Sequence, residues 1–298
     1  MGGHGETQGP YVSSQSQPTE RDRRGEVQRE AAKGKNFVTI TFLASSSDAN
    51  STLVEHEGEG LLVDCGLPFH LRRRPSHSLL GKLEDLGVDP KIIKGIFVSH
   101  FHADHAKYAG ETSGRLHVPV FATSETIERG AEAIVARAET VETIYTGAAL
   151  PFGAFRVLTV WTYHTPGAVG FAIEAGGKAV SIFSDVPDVT QRMDEAFAKS
   201  EFIAVECNHA LELLRTCDYA DSLKERIRLT HLSTEALAGY FRNRFNGGGV
   251  TKRIALIHLS ARAQMSFLAE AAIRAAVARP EIEVFAVPLH EVSGPWEV

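Results

Sequence analysis

Apolar positions along this chain fall into short runs of strand length, separated by polar and glycine-containing punctuation. Residues 37–43 (Phe-Val-Thr-Ile-Thr-Phe-Leu) predict a strand, followed by a polar loop over 45–50. Residues 51–56 and 61–64 predict a hairpin joined through Glu57-Gly58-Glu59-Gly60. Residues 79–86 have helical spacing and stop at Gly87, a helix-terminating signal. Gly95-Ile96-Phe97-Val98 reads as a buried strand, as does 118–122, after which Thr123 or Ser124 can cap a helix reaching about residue 138. The second half repeats the pattern loosely. Strands are predicted at 155–163, 170–174, 178–183, 202–206, 253–257 and 283–287, with Gly176-Gly177 as a hairpin turn. Helices are predicted near 188–200, 209–227, 233–245 and 261–278. Strands first, then alternating strand and helix, in two comparable halves, predict two sheets faced by helices rather than one doubly wound sheet.

Residues 1–35 break this pattern. They are Gly, Ser, Gln and charge without apolar periodicity, and cannot bury enough surface to offset the entropy of ordering, so a disordered tail is expected there. His4 and Arg21-Asp22-Arg23-Arg24 belong to that tail and are read as solvated. At 298 residues and 43% hydrophobic composition the remainder has ample material for a core. Its longest apolar stretches, such as Ile254-Ala255-Leu256-Ile257, are far short of the ~20 residues that a bilayer helix requires. No apolar secretory signal opens the chain, and three cysteines (Cys65, Cys207, Cys217) have no paired spacing, which together lead us to expect a cytoplasmic protein. A net charge of −6 argues against gripping nucleic acid over the whole surface, so any polyanion site must be a local patch.

The chemistry concentrates directly after the strand at Gly95–Val98, in His100-Phe101-His102-Ala103-Asp104-His105. Three imidazoles and a carboxylate in one turn would repel one another when protonated and be costly to bury unpaired, whereas together they suit a metal site. Alternate spacing lets His100 and His102 bind one ion while Asp104 and His105 turn toward a second. Further candidates stand immediately past later apolar runs: His164, Asp185 and His258. A buried strand delivers its next side chain to the rim of a sheet, where open α/β folds collect their ligands.

This ordered set resembles the metallo-β-lactamase fold superfamily over residues 36 to about 278. The resemblance implies an α/β (α+β) fold, a four-layer αββα sandwich with metals at the rim between the sheets, so that residues 36–298 would be one hydrolase domain. It further implies that His100, His102 and His164 hold one ion, that Asp104, His105 and His258 hold the other, and that Asp185 bridges them. Asp64, in Asp64-Cys65-Gly66, matches the superfamily's buried Asp and would orient the metal motif. Within the superfamily, Phe42-Leu43-Ala44-Ser45 with its Ser-rich loop ending in Asn50, Val205-Glu206-Cys207-Asn208-His209, Thr230-His231-Leu232-Ser233 and Ile257-His258-Leu259-Ser260 look like the YycJ/WalJ group of bacterial metal-dependent 5′-to-3′ exonucleases. The chain departs from that group at Ser46 and Ala49, where glycines are usual, at Ala210 in place of Asp, and at Ala263-Gln264 in place of an Asn pair.

These resemblances imply a dinuclear metal-dependent phosphodiesterase or nuclease. Two divalent ions ~4 Å apart can lower the pKa of a shared water toward neutrality and set hydroxide in line with a phosphodiester. Zn²⁺ suits the His-rich set, and Mn²⁺ is served by the same donors. By resemblance to ribonuclease Z relatives, His231 takes the place of a histidine that protonates the leaving oxygen. Asp104 and His209 are further candidates for the catalytic machinery. Asn208 and His209, ahead of a helix, could receive a substrate phosphate at its positive end, or Asn208 could simply cap it. Arg72-Arg73-Arg74, flanked by His70 and His77, is the best local patch for a polyanion. The alternative at the same metals is hydrolysis of a carboxylic ester, thioester or lactam, and a metal-stabilised binding protein is a third reading.

Overall fold

The computed structural model describes residues 37–244 and 249–298. The expected tail therefore lies outside the described residues. In chain order the strands are β1 (Val38–Ser45), β2 (Asn50–His56), β3 (Glu59–Val63), β4 (Ile93–Phe97), β5 (Pro119–Ala122), β6 (Thr140–Thr143), β7 (Ala149–Phe152), β8 (Phe155–Trp161), β9 (Val169–Ala175), β10 (Lys178–Phe183), β11 (Phe202–Glu206), β12 (Arg253–Ile257), β13 (Glu283–Ala286) and β14 (Ser293–Glu297). They form two mixed sheets, ordered β14-β1-β2-β3-β4-β5-β6 and β13-β12-β11-β10-β9-β8-β7. Each sheet has an antiparallel half and a parallel half. The parallel ladders run β3-β4-β5-β6 in the first sheet and β10-β11-β12-β13 in the second.

Alternation along the strands explains the layering. In β1 to β4, Val38, Ile40, Phe42, Val54, Leu61, Val63 and Phe97 point into the space between the sheets. They meet Phe155, Val157, Phe171, Ile173, Val180, Ile182, Phe202 and Ile257 of the second sheet. The intervening residues Leu53, Leu62, Ile96 and Val120 pack outward with the helix Leu79–Asp85 and the segment around Ala106 and Ala109. On the far side, Ile203, Val205, Ile254 and Leu256 pack with the helices Gln191–Phe197, Thr234–Arg244 and Ser266–Val277. Strands covered on both faces carry continuous apolar runs, which is why β4, β11 and β12 stand out in the sequence. The result is the expected αββα sandwich.

Three strands escaped the sequence reading, and all three are sheet edges or next to one. β6 (Thr-Val-Glu-Thr) and β14, which contains Gly294-Pro295, end the first sheet, and β7, which contains Pro151, ends the second. An edge strand needs one ladder partner and tolerates proline, so its sequence carries little periodic signal. Two long predicted helices are broken. The segment after Thr123 forms Ser124–Arg129 and Ala131–Ile134 with Gly130 between them. The segment 209–227 forms Leu211–Thr216 and Asp221–Thr230, separated by Cys217 in an extended conformation. Among the described residues, no helix is long and apolar enough to cross a membrane.

Candidate metal centre

Sheet geometry brings the chemistry to one rim. Asp64 follows β3, His100 to His105 follow β4, His164 follows β8, Asp185 follows β10, Glu206 ends β11 and His258 follows β12. The rim is tied across the sheets, with the His258 backbone N–H donating to Ser45 Oγ at 2.9 Å and the Val169 N–H to the Ser99 carbonyl at 3.0 Å. Turning a side chain inward at a strand end needs an unusual backbone. Asp64, Asp185 and His258 adopt φ of 62°, 53° and 54°, and Tyr163, just before His164, adopts 60°. Left-handed conformations at non-glycine residues cost of order 1–3 kcal/mol each and persist where the surrounding structure over-determines them.

The converging atoms form interlocking groups. His100, His102, His164 and Asp185 offer donor atoms within 4.8 Å of one another, as do Asp104, His105 and His258, and Asp185 with His258, His231 and Glu206. His100 Nε2 lies 2.9 Å from His102 Nδ1, which lies 3.3 Å from His164 Nε2. Asp185 reaches both sides: Oδ1 is 3.4 Å from His164 Nε2, and Oδ2 is 2.9 Å from His105 Nε2 and 3.6 Å from His258 Nε2. His258 Nε2 is 3.4 Å from Asp104 Oδ2.

What stands behind these rings decides which nitrogen faces the centre. His164 Nδ1 donates to the Thr230 carbonyl at 2.8 Å, His258 Nδ1 to Glu206 Oε1 at 2.8 Å, and His105 Nδ1 to Asp64 Oδ2 at 2.7 Å. Ser99 Oγ donates to Asp64 Oδ2 at 2.9 Å and so accepts from His100 Nδ1 at 3.0 Å. With each outer nitrogen holding a proton, the inner Nε2 atoms of His100 and His164 present lone pairs toward the centre, while those of His105 and His258 face carboxylates and would offer theirs once a cation displaces their second proton. Asp185 Oδ2 is buried and makes no hydrogen bond despite its 2.9 Å approach to His105. Such a set of facing lone pairs with an orphaned buried carboxylate oxygen fits divalent cations.

Charge separates the two sides of the cluster. Burial holds His100, His102 and His164 below the ordinary histidine range, leaving neutral imidazoles. Burial also pulls on His105, but Asp104, Asp185 and Asp64 outweigh it and raise His105 well above that range. His258 is raised likewise against its burial, by Asp185 and by hydrogen bonds to Asp104 and Glu206.

Two residues essential to this geometry were missed as site residues. Glu206 is fully buried and saturated: Oε1 accepts from His258 Nδ1 and from His231 Nδ1, each at 2.8 Å, and Oε2 from the Val186 and Leu232 N–H groups at 2.9 and 3.0 Å. Four donors leave it little lone-pair capacity for an ion, so its work is to orient both imidazoles. Its signal was a carboxylate closing the apolar run of β11, one position short of the level at which Asp185 and His258 leave the neighbouring strands. Asn50, at the end of the Ser-rich loop, donates through Nδ2 to Asp104 Oδ2 at 3.2 Å. Gly66 is required by close approach, since a Cβ there would sit 1.9 Å from the Asp104 carbonyl oxygen and 2.8 Å from the Asn50 nitrogen. Gly66→Ala is therefore expected to displace the Asp104 turn and lower the thermal midpoint and metal retention together, measurable by calorimetry and elemental analysis.

The remaining sequence candidates fall in three places. His231 sits beside the centre, its ring 4.9 Å from that of His164 and stacked on His258 at 5.5 Å. His209 is buried, and neither ring nitrogen has a hydrogen-bond partner among the described residues. Arg72, Arg73 and Arg74 are exposed on the connection between β3 and the helix Leu79–Asp85, with no contact to the cluster. The expectation for Asn208 needs correcting. Its side chain is buried and donates to the His258 carbonyl at 3.0 Å, Ala210 caps the following helix, and the Leu211 N–H at that helix start already donates to the Glu235 carboxylate. Asn208 thus does not cap that helix, and Ala210 stands at its N-cap position without a side-chain cap bond.

Residues 47–185, which include His100, His102, Asp104, His105, His164 and Asp185 of this centre, match the Metallo-beta-lactamase superfamily. The chain carries a metallo-β-lactamase superfamily domain. The chain is 28% identical to the exodeoxyribonuclease YycJ of Bacillus anthracis over 239 residues, covering 78% of this chain and 87% of that one. It is 27% identical to the exodeoxyribonuclease WalJ of Streptococcus pneumoniae over 226 residues, covering 74% of this chain and 81% of that one. Among solved structures it is similar to the metallo-β-lactamase fold protein YhfI from Bacillus subtilis, with a TM-score of 0.66 at 17% identity, covering 89% of this chain and all of that one. The metallo-β-lactamase fold implies divalent metal ions, and the clusters described above are where this chain offers ligands.

Proposed function

We propose that this chain is a metal-dependent phosphodiesterase acting on nucleic acid, an exonuclease of the 5′-to-3′ kind. The observation that carries the reading is the junction of seven converging donors (His100, His102, Asp104, His105, His164, Asp185 and His258) with a carboxylate-backed histidine, His231, at their edge. His100, His102 and His164 would hold one divalent ion, Asp104, His105 and His258 the other, with Asp185 between them. Zn²⁺ suits the histidine content and Mn²⁺ is compatible with the same donors. When bound, such ions supply Lewis-acid polarisation of phosphoryl oxygens and activation of water.

The protein's own residues supply orientation and a proton. Asp64, Ser99, Glu206 and the Thr230 carbonyl fix the imidazoles from behind. Burial would pull His231 down, but Glu206 and Asp185 overcome it and raise His231 above the ordinary histidine range. His231 therefore holds a proton to higher pH than an ordinary histidine and can deliver it to the leaving oxygen, which would otherwise depart as an alkoxide. His209 has no defined role in this scheme.

The exodeoxyribonuclease relatives favour phosphodiesters over the carboxylic ester, thioester or lactam alternative. A substrate panel tests the choice. Turnover of bis(p-nitrophenyl) phosphate and of DNA or RNA by the metal-loaded protein, without turnover of esters or lactams, supports the proposal, and the reverse pattern defeats it. The exposed Arg72–Arg74 run is proposed as the patch that meets the substrate's backbone in an otherwise acidic protein. Replacing all three by alanine should weaken oligonucleotide binding most at low salt and flatten the log–log salt dependence by about two, near the ~0.7 per phosphate contact of single strands. A slope unchanged from the wild type would remove the patch from the account.

A further inference from the structure

The rim carries an aromatic pair that the chemistry above leaves without a task. Trp161 ends β8 and Tyr163 lies one residue before His164. Their rings lie 6.3 Å apart at an interplanar angle of 25°. Trp161 is half-buried, while Tyr163 is 69% exposed. Along β8, Phe155 and Val157 face the space between the sheets, and Trp161 continues that alternation to the rim where the donors converge.

Core packing accounts for neither the identity nor the position of Tyr163. The residue adopts φ 60°, a conformation that is a genuine outlier for a bulky side chain and that Gly or Asn would adopt at lower cost. Its ring is not driven there by burial, because most of it faces solvent. A scattered surface aromatic needs no explanation. One held in a strained conformation, stacked on a second aromatic and bonded directly to a residue of the centre is a different case. Tyr163 directly precedes His164 in the chain and shares with Trp161 the end of β8 at the donors' rim.

Resting on the nuclease reading of the same centre, we propose that Tyr163, buttressed by Trp161, is a stacking platform for a nucleobase of an unpaired strand end, next to the phosphodiester being cut. A flat face with a supporting ring behind it suits a base whatever its identity, because every base has a π face, and such a platform binds strands without reading sequence. It requires that base to be unstacked from its neighbours, so the substrate at this position is single-stranded or frayed.

Steady-state cleavage of a short fluorescein-labelled thymidine oligonucleotide by the full-length, metal-loaded protein tests this. Tyr163→Ala should raise KM roughly tenfold, within the range measured for removing a base-stacking aromatic. Tyr163→Phe should restore the wild-type KM and Tyr163→Leu should not, since Leu keeps apolar bulk without a π face. An oligonucleotide made abasic at its terminal residues should lose the same factor with the wild type and lose nothing further with Tyr163→Ala. A Tyr163→Ala KM within twofold of wild type, or an equal loss on the abasic strand, overturns the platform while leaving the nuclease reading intact. A wild type that cleaves no oligonucleotide at all overturns both.

Discussion

Asp185→Asn is expected to reduce turnover more than a hundredfold and to reduce bound metal from about two ions per chain to one or fewer. Outer partners of metal ligands already cost 10–100-fold when removed, and Asp185 stands in the centre itself. Its Oδ1 lies 3.4 Å from His164 Nε2 and its Oδ2 lies 2.9 Å from His105 Nε2, so it touches both halves of the cluster. Asn keeps the shape and one carbonyl oxygen but removes the charge that two cations would share. Because Asp185 Oδ2 makes no hydrogen bond, the exchange breaks none there, and the fold should persist by circular dichroism. Elemental analysis beside a phosphodiesterase assay reads both effects. An Asn variant that keeps two ions and wild-type turnover would show that Asp185 does not bridge.

Glu206→Gln should cost about 10–100-fold in kcat/KM and should also change the pH profile. Glu206 raises His231 against its burial, so the proton on His231 survives to higher pH in the native protein than it would alone. Removing the carboxylate lowers that pKa, and the alkaline limb of kcat/KM moves to lower pH. The acid form is then present only below the new, lower value, so the loss is worst on the alkaline side. Gln also places a buried NH₂ against existing donors, from His231, His258, Val186 or Leu232, at a cost of ~1–3 kcal/mol of stability. A uniform loss at all pH values would assign Glu206 to stability alone and leave His231 without its supporting base.

The parts of the fold that announced themselves were those with two-sided burial. β10, β11 and β12 were bounded to the residue because a strand covered on both faces must be apolar throughout and polar just beyond. That same switch exposed Asp185 and His258, since the polar residues directly after such a run land on the rim. Glu206 is the last residue of its strand rather than the first beyond it, and the buried Cys207 follows, so no switch to polar sequence flagged it. Asn50 was hidden for another reason: its partner, Asp104, is 54 positions away, and only the sheet brings them together. The helix start after His209 looked like a phosphate site in sequence because Glu235, which accepts from its Leu211 N–H, comes from the later helix Thr234–Arg244. Long-range pairing is what local pattern cannot carry.

These strand-end side chains are proposed to hold metal ions for cutting nucleic acid from an end. The most direct test digests a single DNA strand, labelled at its 5′ or its 3′ terminus, with the purified chain supplied with Mn²⁺ or Zn²⁺ and with His102→Ala in parallel. Immediate release of the 5′ label as a short product, progressive shortening of the 3′-labelled strand, and loss of both in the His102→Ala protein are expected. Intact DNA and RNA in the presence of metal-loaded wild type, alongside hydrolysis of a carboxylic ester, would contradict the proposal.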